Sequence, residues 1–83
     1  RQARARTLRD NFILCTDKLL IDDYTINNVA LDDQQRGELK DVRASFKSWP
    51  QLEGWPEIEL PEIPQWLLIE AANNGYVVYN WPE

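Results

Sequence analysis

At Trp49-Pro50 the chain changes character, and the change limits what it can fold into. Before it, apolar residues recur at intervals of three and four, the period of an amphipathic helix. After it, residues 50–83 contain all five prolines, three of the four tryptophans and six glutamates, with no Lys or Arg. Proline fixes the backbone angle φ and removes a hydrogen-bond donor, so this half cannot continue the helices and reads as largely extended. A helical half followed by an apolar, acidic arm suits a chain that holds another protein.

In the first half, Ala5, Leu8, Phe12, Cys15 and Leu19 form one stripe, predicting a helix over about residues 2–17. Such a stripe serves equally as a core-facing surface or as a seam between chains. Cys15 falls on it and is expected to pack as a small buried hydrophobe. Asp22-Asp23 and Asn27-Asn28 then supply turn chemistry, and the acidic pair lacks the spacing and glycine of a calcium loop. A second helix is predicted over about 32–48, opened by a capping-box-like Asp32 and Gln35. Leu39, Val42, Phe46 and Trp49 form its stripe, and Pro50 ends it. The fold class expected is mainly α: an antiparallel helical hairpin in residues 1–49, followed by an arm, residues 50–83, that either stands alone or packs on the hairpin as one domain.

Within the arm, Glu57-Ile58-Glu59-Leu60 alternates as a short edge strand or an extended arm does. Pro64 is placed to open a short helix over about 65–73, with Asn73-Asn74-Gly75 as its stop. Tyr76-Val77-Val78-Tyr79 has the composition of a short terminal strand. Trp49-Pro50, Trp55-Pro56 and Trp81-Pro82 each join a flat ring to a rigid backbone. Trp49 and Trp66 are expected in the core. Trp55 and Trp81, with Pro56 and Pro82, are expected to face a partner, because tryptophan dominates binding hot spots.

Charge and inventory narrow the function. The net charge is −5, but Arg1, Arg4, Arg6 and Arg9 place four positive charges before the first acid, Asp10. That cluster, with Arg4 and Arg9 as candidate contacts, reads as a solvated helix face or as a counterpart to acids of this or a neighbouring chain. Contact with nucleic acid is a further reading, opposed by the acidic arm. With no His, a single Cys and three glycines, the chain lacks a Ser-His-Asp or Cys-His pair, a zinc-ligand set and a phosphate-cradling loop. No enzyme activity, catalytic residue, metal or cofactor is expected. No run approaches the ~20 apolar residues of a membrane span, so no membrane partner is expected either. The absence of methionine and the initial Arg1 suggest a processed product or a fragment. At 83 residues, such a chain often completes its core by oligomerising or docking.

Several fragments, in this order, carry a family resemblance: Leu8-Arg9-Asp10, Thr16-Asp17, Leu31-Asp32-Asp33-Gln34-Gln35-Arg36, Arg43, Trp49-Pro50 and Trp81-Pro82. Over about half its length the chain resembles the small tail assembly chaperone and tail-fibre assembly proteins of tailed bacteriophages. It departs from them in having Lys18 where the family places Trp after Thr-Asp, in a longer loop from Lys18 to Ala30, and in residues 51–75. The resemblance implies a protein-binding role in tail morphogenesis, with a tail or fibre protein as partner. It places the chain in the host cytoplasm during assembly, or in the virion as a permanent subunit joining its neighbours, where a homo-oligomer is expected.

Overall fold

The computed structural model describes residues 2–21, 23–77 and 81–82. Among these, two long helices, a third short one and a two-stranded ribbon make a mainly helical fold. Helix α1 spans Gln2–Thr16 and tightens into a 3-10 turn, Asp17–Leu20. A ribbon of β1, Thr25–Ile26, and β2, Val29–Ala30, follows. Helix α2 covers Asp33–Ser48 and passes into a 3-10 turn, Trp49–Gln51, that contains Pro50. Helix α3 covers Gln65–Asn73.

Local chemistry accounts for these bounds. The Asp32 carboxylate accepts from the Gln35 N–H at 2.7 Å, and the Gln35 side chain accepts from the Asp32 N–H at 3.0 Å. This reciprocal pair satisfies two of the donors that a helix start leaves open. Helix α3 ends with the Tyr76 N–H on the Ala71 carbonyl and the Gly75 N–H on the Ala72 carbonyl. That closure needs a left-handed residue, and Gly75 supplies it with φ of 101°. In the ribbon, Asn27 and Asn28 take φ of 52° and 66°, the signature of the tight hairpin turn whose twist suits two short strands. The loop expected from the Asn-Asn pair therefore carries paired strands as well.

Helices α1 and α2 run in opposite directions: the middle of α2 meets the end of α1 through Arg43, and Trp49 packs beside Ala5 and Leu8 near its start. Phe12 stacks on Phe46 with ring centroids 4.3 Å apart, and Tyr76 meets Phe12 edge-on at 5.4 Å. Leu19, Leu31, Leu39, Val42, Leu67 and Ala71 complete this first cluster. Ala5, Leu8, Trp49 and Trp81 form a second one, with Trp55, Ile58 and Leu60 against it. The arm thus lies on the hairpin.

Two local expectations are revised. Cys15 is only partly buried, and the fully buried residue of that turn is Thr16, whose hydroxyl donates to the Phe12 carbonyl at 2.8 Å. Glu57–Leu60 does not pair as a strand: a turn runs to Ile58, and an unpaired stretch leads on to Pro64. Of the strand expected at Tyr76–Tyr79, Val78 and Tyr79 lie outside the described residues, and Tyr76 and Val77 belong to no strand.

Candidate partner-binding surface

In the Trp-Pro pairs of the arm, both joined by cis peptide bonds, it is the tryptophan rings that turn inward. Trp81 is 7% exposed, and its indole N–H donates to the Pro56 carbonyl at 2.7 Å. The Trp49 indole does the same to the Glu59 carbonyl at 3.0 Å. Trp55 is half-buried, edge-on to Trp49 at 6.3 Å, with the Arg6 guanidinium 5.2 Å from its ring centre. A cation over an indole face is attracted by the ring's negative π surface. The expectation that Trp81 faces a partner is therefore corrected: its ring closes the second cluster of its own chain. Trp55 spends most of its surface the same way, and its buried indole N–H has no acceptor among the described residues. Pro56 is half-buried and Pro82 exposed.

The candidate arginines lie on α1. Arg4 is exposed and engaged in a contact of its own, while the half-buried Arg9 donates from Nε to Asp10 at 2.9 Å. A pair of this kind on a helix surface contributes little to stability.

Sequence reasoning missed a groove beside α2. One hollow of about 410 Å³ is lined by Glu38, Asp41, Val42, Glu62 and Pro64. A second, of about 390 Å³, is lined by Ser45, Ser48, Trp49, Leu52, Glu59, Pro61 and Glu62. They share Glu62, so together they follow one face of the helix, where positions 38, 41, 45 and 48 repeat at three and four. The prolines hold the opposite wall extended, and the two serines keep the floor low. Glu38, Asp41, Glu59 and Glu62 form no ion pair among the described residues, and no Lys or Arg lines either hollow. Glu38, which accepts from the Trp66 indole at 3.2 Å, and Asp41 face Glu59 and Glu62 across the groove, and four carboxylates without a cation beside them concentrate negative potential there. Leu52, 53% exposed, adds apolar surface at one end. The legible signal was the row Glu38, Asp41, Ser45 and Ser48, two acids followed by two small residues, just outside the buried stripe of α2.

Two other clusters hold this surface in place. Arg43, 8% exposed, donates to the Ile13 carbonyl at 3.0 Å, the Thr16 hydroxyl at 2.7 Å and the Asp17 carboxylate at 2.9 Å. A cation at a helix C-terminus also meets the negative end of the helix dipole. Across the molecule, the Tyr24 hydroxyl donates to Glu70 at 2.6 Å and accepts from Asn74 at 3.5 Å, fastening the ribbon loop to α3. Burial and then the bond to Glu70 push the Tyr24 phenol above its ordinary range. Burial also pushes Tyr76 up to about 12.

Among the described residues no three metal-ligating side chains lie close enough to hold an ion, and no helix is long and apolar enough to cross a membrane. No protein-family model, curated protein or solved structure matches this chain.

Proposed function

We propose that this chain is a protein-binding domain of bacteriophage tail or tail-fibre morphogenesis, acting as an assembly chaperone, with no catalytic role. The observation that carries the binding role is the acidic groove along α2, where Glu38, Asp41, Glu59 and Glu62 form no ion pair among the described residues and Val42, Leu52, Pro61 and Pro64 add apolar lining. Charge complementarity makes the client a tail or fibre segment that carries Lys or Arg beside apolar residues. The phage setting rests on the ordered fragments from Leu8-Arg9-Asp10 to Trp81-Pro82. The alternative within that setting is a permanent virion subunit joining tail, neck or fibre neighbours.

Quantitative mass spectrometry of finished particles, beside the lysate that produced them, separates the two. Presence on a tail or fibre precursor in the lysate, with none in the particle, supports the chaperone. Stoichiometric copies in the particle make it a structural subunit. Absence from both refutes the phage setting. Glu38→Lys/Glu62→Lys should abolish capture of the precursor, and capture at the unchanged level would remove the groove from the proposal.

A further inference from the structure

We infer that α1 carries a separate, self-complementary docking surface centred on Leu14, on which a second copy of this chain packs antiparallel. Leu14 is 69% exposed, the most exposed large apolar side chain among the described residues. Beside it lies a hollow of about 400 Å³ lined by Arg9, Asp10, Ile13, Leu14, Asp17 and Lys47. The hollow pairs an apolar floor from Ile13 and Leu14 with two acids and two bases. This mixed, balanced rim offers no reason to prefer a basic or an acidic partner. It suits a partner with the same pattern read in reverse.

A two-fold axis at Leu14 provides that reversal. On a helix surface, neighbours lie three and four residues away. Toward the N-terminus these are Asn11 and Asp10; toward the C-terminus, where α1 has tightened into the 3-10 turn, the exposed Asp17 and Lys18 follow at the same separations. In a symmetric contact, if residue i meets j then j also meets i. Asp10 of one copy then faces Lys18 of the other, twice, and the Asn11 amide faces the Asp17 carboxylate, twice. The groups are available for this. Among the described residues Lys18 forms no ion pair, and Asp10 and Asp17 each commit only Oδ1. A single helix face lies below the roughly 1,600 Å² of a stable interface, so the dimer is weak and reversible.

The surface is distinct from the acidic groove, so this inference stands or falls apart from the phage reading. Sedimentation velocity of the whole chain, from roughly 10 μM to 1 mM, tests it. The sedimentation coefficient should rise across that range. Leu14→Asp should remain monomeric throughout, with circular dichroism and thermal melting confirming that this exposed substitution leaves the fold intact. Asp10→Lys and Lys18→Asp should each weaken association roughly tenfold, since each alters two symmetric contacts. The double variant should restore it. A wild-type chain that stays monomeric, or a Leu14→Asp chain that associates equally well, overturns the proposal. Failure of the double variant to recover overturns the antiparallel arrangement about Leu14.

Discussion

The cluster around Phe12 and Phe46 and the cluster around Trp49 and Trp81 share one helical hairpin but are held by different chemistry. The first is filled by aliphatic and phenyl groups from helix stripes, and its stability follows from burial and close packing. The second is built from indoles whose N–H groups bond to carbonyls of the arm, Trp49 to Glu59 and Trp81 to Pro56. Its geometry depends on where an extended, proline-rich backbone runs. The first cluster joins helices, whereas the second anchors the wall of the acidic groove. A change in the first should threaten the whole fold, and a change in the second should first loosen the arm.

The largest effect should come from Phe46→Ala, which empties a fully buried site stacked on Phe12. A loss of about 3–5 kcal/mol is expected in urea unfolding, with both ends of the molecule lost together. A smaller value would mean that the first cluster does not dominate. Next comes Arg43→Met, which leaves the Ile13 carbonyl and the Thr16 hydroxyl without their donor. About 1.5–3 kcal/mol should be lost. Arg43→Lys should recover only part of it, because one ammonium cannot reproduce the planar fork that spans three acceptors.

Trp81→Phe keeps a ring in the second cluster but removes the bond to Pro56, at a cost of about 1–2 kcal/mol. Hydrogen exchange should speed up in residues 52–60 while α1 and α2 stay protected; equal acceleration in both helices would show that the two clusters are one cooperative unit. The smallest effect, of opposite sign, should come from Tyr76→Phe. The Tyr76 hydroxyl is buried without a partner among the described residues, so its removal should stabilise the fold by about 0.5–1 kcal/mol near neutral pH. The same variant has a pH signature. With the folded phenol pushed up to about 12 against an ordinary 10, wild-type stability is unaffected below pH 10 and falls between pH 10 and 12. The slope is roughly 1.4 kcal/mol per pH unit, and Tyr76→Phe should lose that part of it.

The first cluster was far more legible than the second. The stripes at Ala5, Leu8, Phe12 and Leu19 and at Leu39, Val42, Phe46 and Trp49 lie inward as their spacing predicts. The stripe mistook Cys15 for Thr16 because the group that buries Thr16 is Arg43, 27 residues further along. The groove was missed for a related reason. Its acids on α2 carry no sign of a groove until Glu59 and Glu62 are laid opposite them. Composition also could not say which tryptophans turn inward, since a ring that suits a hot spot equally suits a small core.

Helix positions, the Asp32–Gln35 cap, the opening at Pro64 and the stop at Gly75 follow from the chain alone, because each depends on residues within about one helical turn. The inward turn of Trp81, the Arg43 clamp and the acidic groove were settled by tertiary structure. Each depends on where a carbonyl, hydroxyl or carboxylate from a distant segment comes to rest, and local spacing carries no information about that.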